Sequence, residues 1–257
     1  MNVCALVLAR GGSKSIHNKN LQKLNGIPLI SYALIPAQNC ICTQRKLNIP
    51  QISFYAVFSQ IWVSTDDDQI EQTVRNLHPN VNVFRRSRET STDECSSLDS
   101  IKEFLSFKKA SQYFITTDVD IICLIQATSP CLHKKYLQQA YEMMVGNKRD
   151  SVFSVTRDHK LRWLPYNHLM KAINFNPRSR PRRQDWSGEL IESGHFYWAT
   201  RKLIDDHNLL QNELNSDVVE IPPQMCLEID DKWQIPLAEL ILKNHGYVLS
   251  DELKSKL

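Results

Sequence analysis

The sequence predicts an α/β fold, a three-layer sandwich around a mostly parallel sheet. Three observations carry that reading. Several short apolar runs lack polar alternation, as strands buried on both faces do. Stretches with apolar residues at helical spacing separate them. A chain of 257 residues with 42% apolar content is long enough for one large domain and apolar enough to build its core.

The elements follow in order. CALVLA (4–9) is a strand that runs directly into the glycine pair Gly11-Gly12. IWVST (61–65) is the next clear strand, and Asp66, Asp67 and Asp68 after it read as a loop and helix cap. VNVFR (81–85) is a strand and SSLDSIKEFLSF (96–107) a helix. IICLIQ (121–126), KKYLQQAYEMMV (134–145) and SVFSVT (151–156) repeat the strand, helix, strand rhythm. That rhythm is Rossmann-like. Two stretches break it. Residues 35–59 carry Pro36 and Pro50 and no clear period, and residues 157–187 hold Trp163, Trp186 and the run RSRPRR. The second is too long for an ordinary connection and reads as functional or as an interaction arm. No repeat is visible, so one domain over 1–257 is expected, with an insert at 35–59.

Composition narrows the function classes. A formal charge of +3 is too small for a nucleic-acid binder, so any electrostatic role must come from local clustering. Seven cysteines without a CxxC pair suggest reduced intracellular thiols. No apolar run reaches membrane-spanning length. The N-terminus lacks a basic leader region, so no signal peptide is expected.

In open α/β sheets ligands bind beyond the carboxyl ends of the strands. The loop after the first strand, LARGGSKSIHNKN (8–20), holds the only Gly-Gly pair in a chain with seven glycines. Glycines there let backbone N–H groups approach a phosphate. Arg10, Lys14 and Lys19 add positive charge, and Ser13 a hydroxyl donor. Neither a Walker loop nor G-x-G-x-x-G is present. A plain Gly-Gly turn with solvated lysines is the competing reading.

This loop resembles the nucleotide-binding signature of CMP-sialic acid synthetases (N-acylneuraminate cytidylyltransferases), a sugar-nucleotide transferase family with this kind of fold. The resemblance implies Arg10, Gly11, Gly12, Ser13, Lys14, Lys19 and Asn20 as contacts of CTP, with Lys14 and Lys19 also in catalytic roles. Ser15 stands where the family has glycine, and a positive φ there would strain it by about 1 kcal/mol or more.

Three further segments are similar to the family. FRRSRETSTDECSSLDSI (84–101) places Arg86 and Ser97 on nucleotide-contacting positions. A helix N-terminus beside Ser96 is compatible with that role. IQATSPCL (125–132) places Gln126 at a strand end, facing the substrate. RPRRQDWSGELIESGHFYW (180–198) resembles the vertebrate enzymes, which puts Arg183 against the sialic acid carboxylate, in a catalytic as well as a binding role, and Tyr197 in the sugar pocket; Arg162, outside this segment, is a further expected sugar contact. A guanidinium fork suits a planar carboxylate. RSRPRR alone would read equally as a polyanion or nuclear-import patch.

The family's late Asp-x-Asp pair, which holds Mg2+, aligns with Glu228 and Asp230 in CLEIDDKWQIPLAE (226–239). Read as a strand, this segment puts both carboxylates on one face. Without the resemblance an exposed acidic strand edge is the simpler reading.

The resemblance thus implies transfer of CMP from CTP to a sialic acid, with Mg2+ as cofactor and a homodimer or dimer of dimers joined through the 157–187 arm. The rivals are a CTP-dependent transferase for another acidic keto sugar and a catalytically dead nucleotide-binding relative. No general base declares itself. The nucleus or cytoplasm is the expected location, with the Golgi of some insect relatives as the alternative. The terminal Ser255-Lys256-Leu257 formally matches a peroxisomal address.

Overall fold

The computed structural model describes residues 1–45, 52–110 and 118–246. The chain begins with β1 (Val3–Leu8), the short hairpin β2 (Lys23–Leu24) and β3 (Ile27–Pro28), and helix α1 (Ser31–Gln38). A second hairpin, β4 (Ile41–Arg45) and β5 (Ile52–Ala56), leads to β6 (Gln60–Thr65), α2 (Asp68–Leu77) and β7 (Asn82–Arg85). Helix α3 (Ser97–Ala110), β8 (Ile121–Ile125), α4 (Lys134–Gly146) and β9 (Ser151–Asp158) follow. The hairpin β10 (Trp163–Tyr166) and β11 (Leu169–Ala172) precedes the long β12 (Glu189–Thr200). Helix α5 (Arg201–His207), β13 (Ser216–Glu220) and α6 (Gln234–His245) complete the order.

Seven strands form the central sheet in the order β13-β9-β12-β8-β1-β6-β7. Only β12 in this sheet runs antiparallel to its neighbours. The absence of polar alternation has its physical cause here. Val3, Ala5 and Val7 of β1 join the apolar cluster on one face, and Cys4 and Leu6 the cluster on the other. The first face is covered by α1, α2, α4 and α6 through residues such as Leu34, Val74, Leu137 and Leu242. The second is covered by α3 and α5 through Phe104 and Leu203. Burying a strand on both sides favours apolar residues at every position.

The 35–59 stretch resolves into the end of α1, the β4–β5 hairpin and its exit; the hairpin's tip lies outside the described residues. Pro36 sits inside α1 without ending it, so the insert leaves the helix intact. Ser31 through Ala37 are all buried, and a helix buried all round has no amphipathic period to read. His78 holds both ends of α1: its ring nitrogens lie 2.8 Å from Gln38 Oε1 and 2.9 Å from Ser31 Oγ.

Residues 157–187 form the β10–β11 hairpin, then irregular chain to the short 3-10 turn Arg183–Asp185. The hairpin strands are exposed almost throughout.

Candidate active site

The loop after β1 is shaped by two aspartates at the start of α2. Asp67 caps that helix by accepting from the Ile70 N–H at 2.9 Å. Asp66 accepts from the Gly11 N–H at 2.9 Å. A Cβ on Gly11 would lie 2.5 Å from Asp67 Oδ2 and 2.8 Å from its Cβ, so this glycine permits a close approach to the helix cap. The expectation that the Gly11 N–H points at a phosphate is therefore corrected: it is committed to Asp66. Gly12 has open space around it.

Ser15 is not at positive φ; the left-handed residue of this loop is Asn18, at φ 50°. Asparagine tolerates that conformation. The expected strain at Ser15 is corrected accordingly.

Past the turn, Asn20 is buried and donates from Nδ2 to the Arg10 carbonyl at 3.1 Å, tying the two ends of the loop together. The Lys19 ammonium donates to the Ile229 carbonyl at 2.9 Å and pairs with Asp230 Oδ1 at 3.1 Å. Arg10 and Lys14 both form ion pairs with Asp93. The hydrogen bond from Lys14 holds the Asp93 carboxyl below its usual range, and the Lys14 ammonium is raised in turn.

These side chains surround a cavity of about 450 Å³ at the carboxyl ends of β1 and β8. Arg10, Ser13, Lys14, Lys19, Asn20, Ser97, Gln126 and Asp230 line it, with Ser15 and Thr128 between them. A smaller adjoining cavity of about 160 Å³ is lined by Arg86, Thr90, Asp93 and Ser100, and shares Arg10 and Ser97 with the first. Ser97 opens α3, whose first turn is capped by Ser96 Oγ accepting from the Asp99 N–H at 3.1 Å. Arg86 is buried, donates to the carbonyls of Ser64 (3.2 Å) and Thr90 (3.3 Å), and has its guanidinium pKa lowered by that burial. Its Nε has no hydrogen-bond partner among the described residues.

The acidic segment is not a strand. Residues 226–230 carry no regular secondary structure and join no ladder, and α6 begins at Gln234. A backbone bond, Ile229 N–H to the Thr128 carbonyl at 2.8 Å, fastens it to the loop after β8. Thr128 also donates its hydroxyl to Glu228 Oε1 at 3.0 Å. Glu228 approaches Gly194, which sits at φ 69° and whose added Cβ would lie 3.1 Å from Glu228 Oε2. Burial pushes the Glu228 carboxyl up, and nearby Asp230 adds to the rise. Asp230 instead lines the cavity. Among the described residues no group of three or more His, Cys, Asp and Glu side chains is placed to hold a metal.

His195 fixes this region from below. Its backbone carbonyl accepts from the Gln126 N–H at 3.1 Å, and its Nε2 lies 3.2 Å from the Met225 carbonyl. A carbonyl only accepts, so Nε2 carries the proton and Nδ1 accepts from Ser193 Oγ at 3.1 Å. Neither Thr128 nor His195 was singled out from the sequence, because a threonine in a turn and a histidine on a strand carry no spacing signal of their own.

Of the expected sugar contacts, Gln126 lines the cavity and the other three lie elsewhere. Arg183 is exposed on its 3-10 turn, and Arg162 is held in a two-pronged pair by Glu189 at 2.7 and 2.9 Å. Tyr197 is on β12 and donates to Glu192 Oε2 at 2.8 Å; its hydroxyl pKa is raised, chiefly by burial. None of the three lines the main cavity.

Comparison with known proteins places this geometry. A family profile described as cytidylyltransferase matches residues 4–249. The chain is 40% identical over 255 residues to N-acylneuraminate cytidylyltransferase A of Danio rerio, covering 98% of this chain and 53% of that protein. It is 26% identical over 248 residues to a pseudaminic acid cytidylyltransferase of Campylobacter jejuni, covering 95% and 97%. The fold matches a structure of CMP:2-keto-3-deoxy-manno-octonic acid synthetase complexed with CTP, with a TM-score of 0.63 at 15% identity, over 95% of this chain and 99% of that one. The chain spans about half the length of the fish protein it matches.

Proposed function

This chain belongs to the cytidylyltransferase family, and from that premise we propose that it transfers the cytidylyl group of CTP to a sialic acid, releasing pyrophosphate. The observation that carries the proposal is the cavity at the ends of β1 and β8, where three cations, four hydroxyls, two amides and one carboxylate converge. Arg10, Lys14 and Lys19 supply the charge that a triphosphate requires. The adjoining pocket beside Arg86 and Ser97 has room for a small polar ring and offers a buried guanidinium with an unused donor. Gln126 stands at the strand end between these groups and the acidic segment.

In this reading the anomeric hydroxyl of the sugar attacks the α-phosphorus, an oxygen–phosphorus bond forms, and pyrophosphate leaves with the electrons of the bond that breaks. Lys14 and Lys19 stabilise the charge that accumulates on the phosphate oxygens. The donor chemistry fits Mg2+ at Asp230, a hard carboxylate that lines the cavity, since this ion is usually held by one or two carboxylates plus substrate phosphates; Glu228, bonded to Thr128 and not part of the cavity lining, is the proposed second carboxylate. When bound, the ion supplies charge neutralisation at the phosphates. Lys19 orients Asp230, and Thr128 orients Glu228.

The sugar's carboxylate is assigned to Arg183, with Arg162 and Tyr197 as further contacts. Because these side chains lie outside the main cavity, a dimer in which the arm of one copy meets the cavity of another suits the reading. The exposed apolar residues of that arm, Trp163, Leu164, Tyr166, Leu169 and Met170, supply the contact surface. The proposed location is the nucleus or cytoplasm; residues 255–257 lie outside the described residues.

The test is a panel of acidic sugars incubated with CTP, with products identified by mass. CMP conjugation to N-acetylneuraminate in preference to other keto acids supports the proposal. Conjugation to a different keto sugar would transfer the assignment to that sugar, and binding of CTP without any product would favour a dead relative.

A further inference from the structure

Asp93 lies on the loop between the 3-10 turn Glu89–Ser91 and α3, and its carboxylate is shared between Arg10 and Lys14. Its two oxygens divide the work, Oδ1 to Arg10 and Oδ2 to Lys14. One anion bridging a guanidinium and an ammonium is the arrangement that neighbouring phosphate oxygens adopt at such a pair. Asp93 also lines the smaller cavity at its junction with the main one, beside Arg10 and Ser97.

The loop does not depend on Asp93 for its anchorage. Ser91 Oγ donates to the Ser87 carbonyl at 2.7 Å, Thr90 Oγ1 donates to Glu103, and Ser96 caps α3. The Lys14 side chain is 79% exposed and those of Arg10 and Asp93 are 32% and 26% exposed. Water therefore solvates all three groups in part, and separating them costs little. A phosphate brought to the same two cations stands in the field of the Asp93 charge, and like charges at that range repel.

We infer that Asp93 is an internal counter-anion that competes with the triphosphate for Arg10 and Lys14 and so limits the affinity of the chain for CTP. The inference rests on the cavity being the CTP site. Its consequence runs against the usual expectation for a charged residue in a binding site, because removing Asp93 strengthens binding.

The experiment is calorimetric titration of CTP into the wild type, Asp93→Asn, Asp93→Ser and Asp93→Glu, at two salt concentrations. The two neutral variants should bind CTP roughly two- to tenfold more tightly, the range given by two partly exposed ion pairs. Their affinity should also fall more steeply with salt, since the ligand meets two uncompensated cations. Asp93→Glu keeps the competing charge and should stay near wild type. Equal or weaker CTP binding by both neutral variants, with melting temperatures matching wild type, overturns the inference and leaves the CTP site standing. Failure of the wild type itself to bind CTP overturns both.

Discussion

Lys19 and Asp230, 211 positions apart in sequence, meet across the mouth of the cavity, with the ammonium 3.1 Å from the carboxylate and 2.9 Å from the neighbouring Ile229 carbonyl. The loop after the first strand and the acidic segment are thereby one unit. The Lys19 side chain is 13% exposed and that of Asp230 64%, so the lysine is fixed while the carboxylate remains open to the cavity.

Asp230→Asn should therefore lower turnover by at least roughly a hundredfold, on the order of 3 kcal/mol of transition-state stabilisation, while circular dichroism and melting stay close to wild type. Asp231→Asn should be nearly silent, because Asp231 does not line the cavity. Steady-state rates of the two variants, measured side by side, check the assignment. A lethal Asp231→Asn with an active Asp230→Asn would move the site by one residue.

Gly11 and Gly12 should respond differently to alanine. At Gly11 the new methyl meets Asp67 at 2.5 and 2.8 Å, and overpacking of this kind costs about 1–3 kcal/mol. A Cβ on Gly12 would meet nothing within 4 Å among the described residues beyond its chain neighbours, so Gly12→Ala should leave stability within about 1 kcal/mol of wild type. Urea unfolding of both variants separates the two cases.

How much of this could be read beforehand depends on the kind of signal. The strands around β1 and β8 were legible because burial on both faces demands continuous apolar runs. The phosphate loop was legible from its Gly-Gly pair and its cations. Helix α1 was hidden because seven of its eight residues are buried, which leaves no polar face. The segment 226–230 looked like a strand because IleAsp-type alternation does not say whether a ladder partner exists; in place of a ladder, Thr128 and Lys19 hold it. The role of Asp66 and Asp67 in holding Gly11 depends on contacts more than fifty residues apart, which local spacing cannot encode.

Acid should destabilise the protein through two buried histidines. Burial lowers the pKa of both His78 and His195 to about 4, below the unfolded value of about 6.5. Each is held neutral in the fold, so their stabilising effect is complete above about pH 6.5 and is lost as pH falls toward 4. The loss should be on the order of 2 kcal/mol per histidine at pH 5. Urea midpoints at pH 7.5 and 5 measure it, and His78→Ala should be less stable at pH 7.5 with a shallower pH dependence.

The β10–β11 hairpin should govern association. Leu164 and Leu169, 51% and 72% exposed, lie on one face of it, two residues from Tyr166 and directly beside it in register. Static light scattering should find a dimer or larger assembly for the wild type at micromolar concentration, and a monomer for Leu164→Glu combined with Leu169→Glu. Charges on a buried apolar contact oppose its formation. A monomeric wild type would contradict the arm's role.

The proposed cytidylyl transfer at the mouth of β1 and β8 is tested by continuous detection of pyrophosphate from CTP. Sustained release is expected when CTP, N-acetylneuraminate and Mg2+ are all present, with near-zero release when the sugar is omitted and near-zero release from Asp230→Asn under the full mixture. Release that is independent of the sugar, or no release from a wild-type chain that binds CTP, would contradict it.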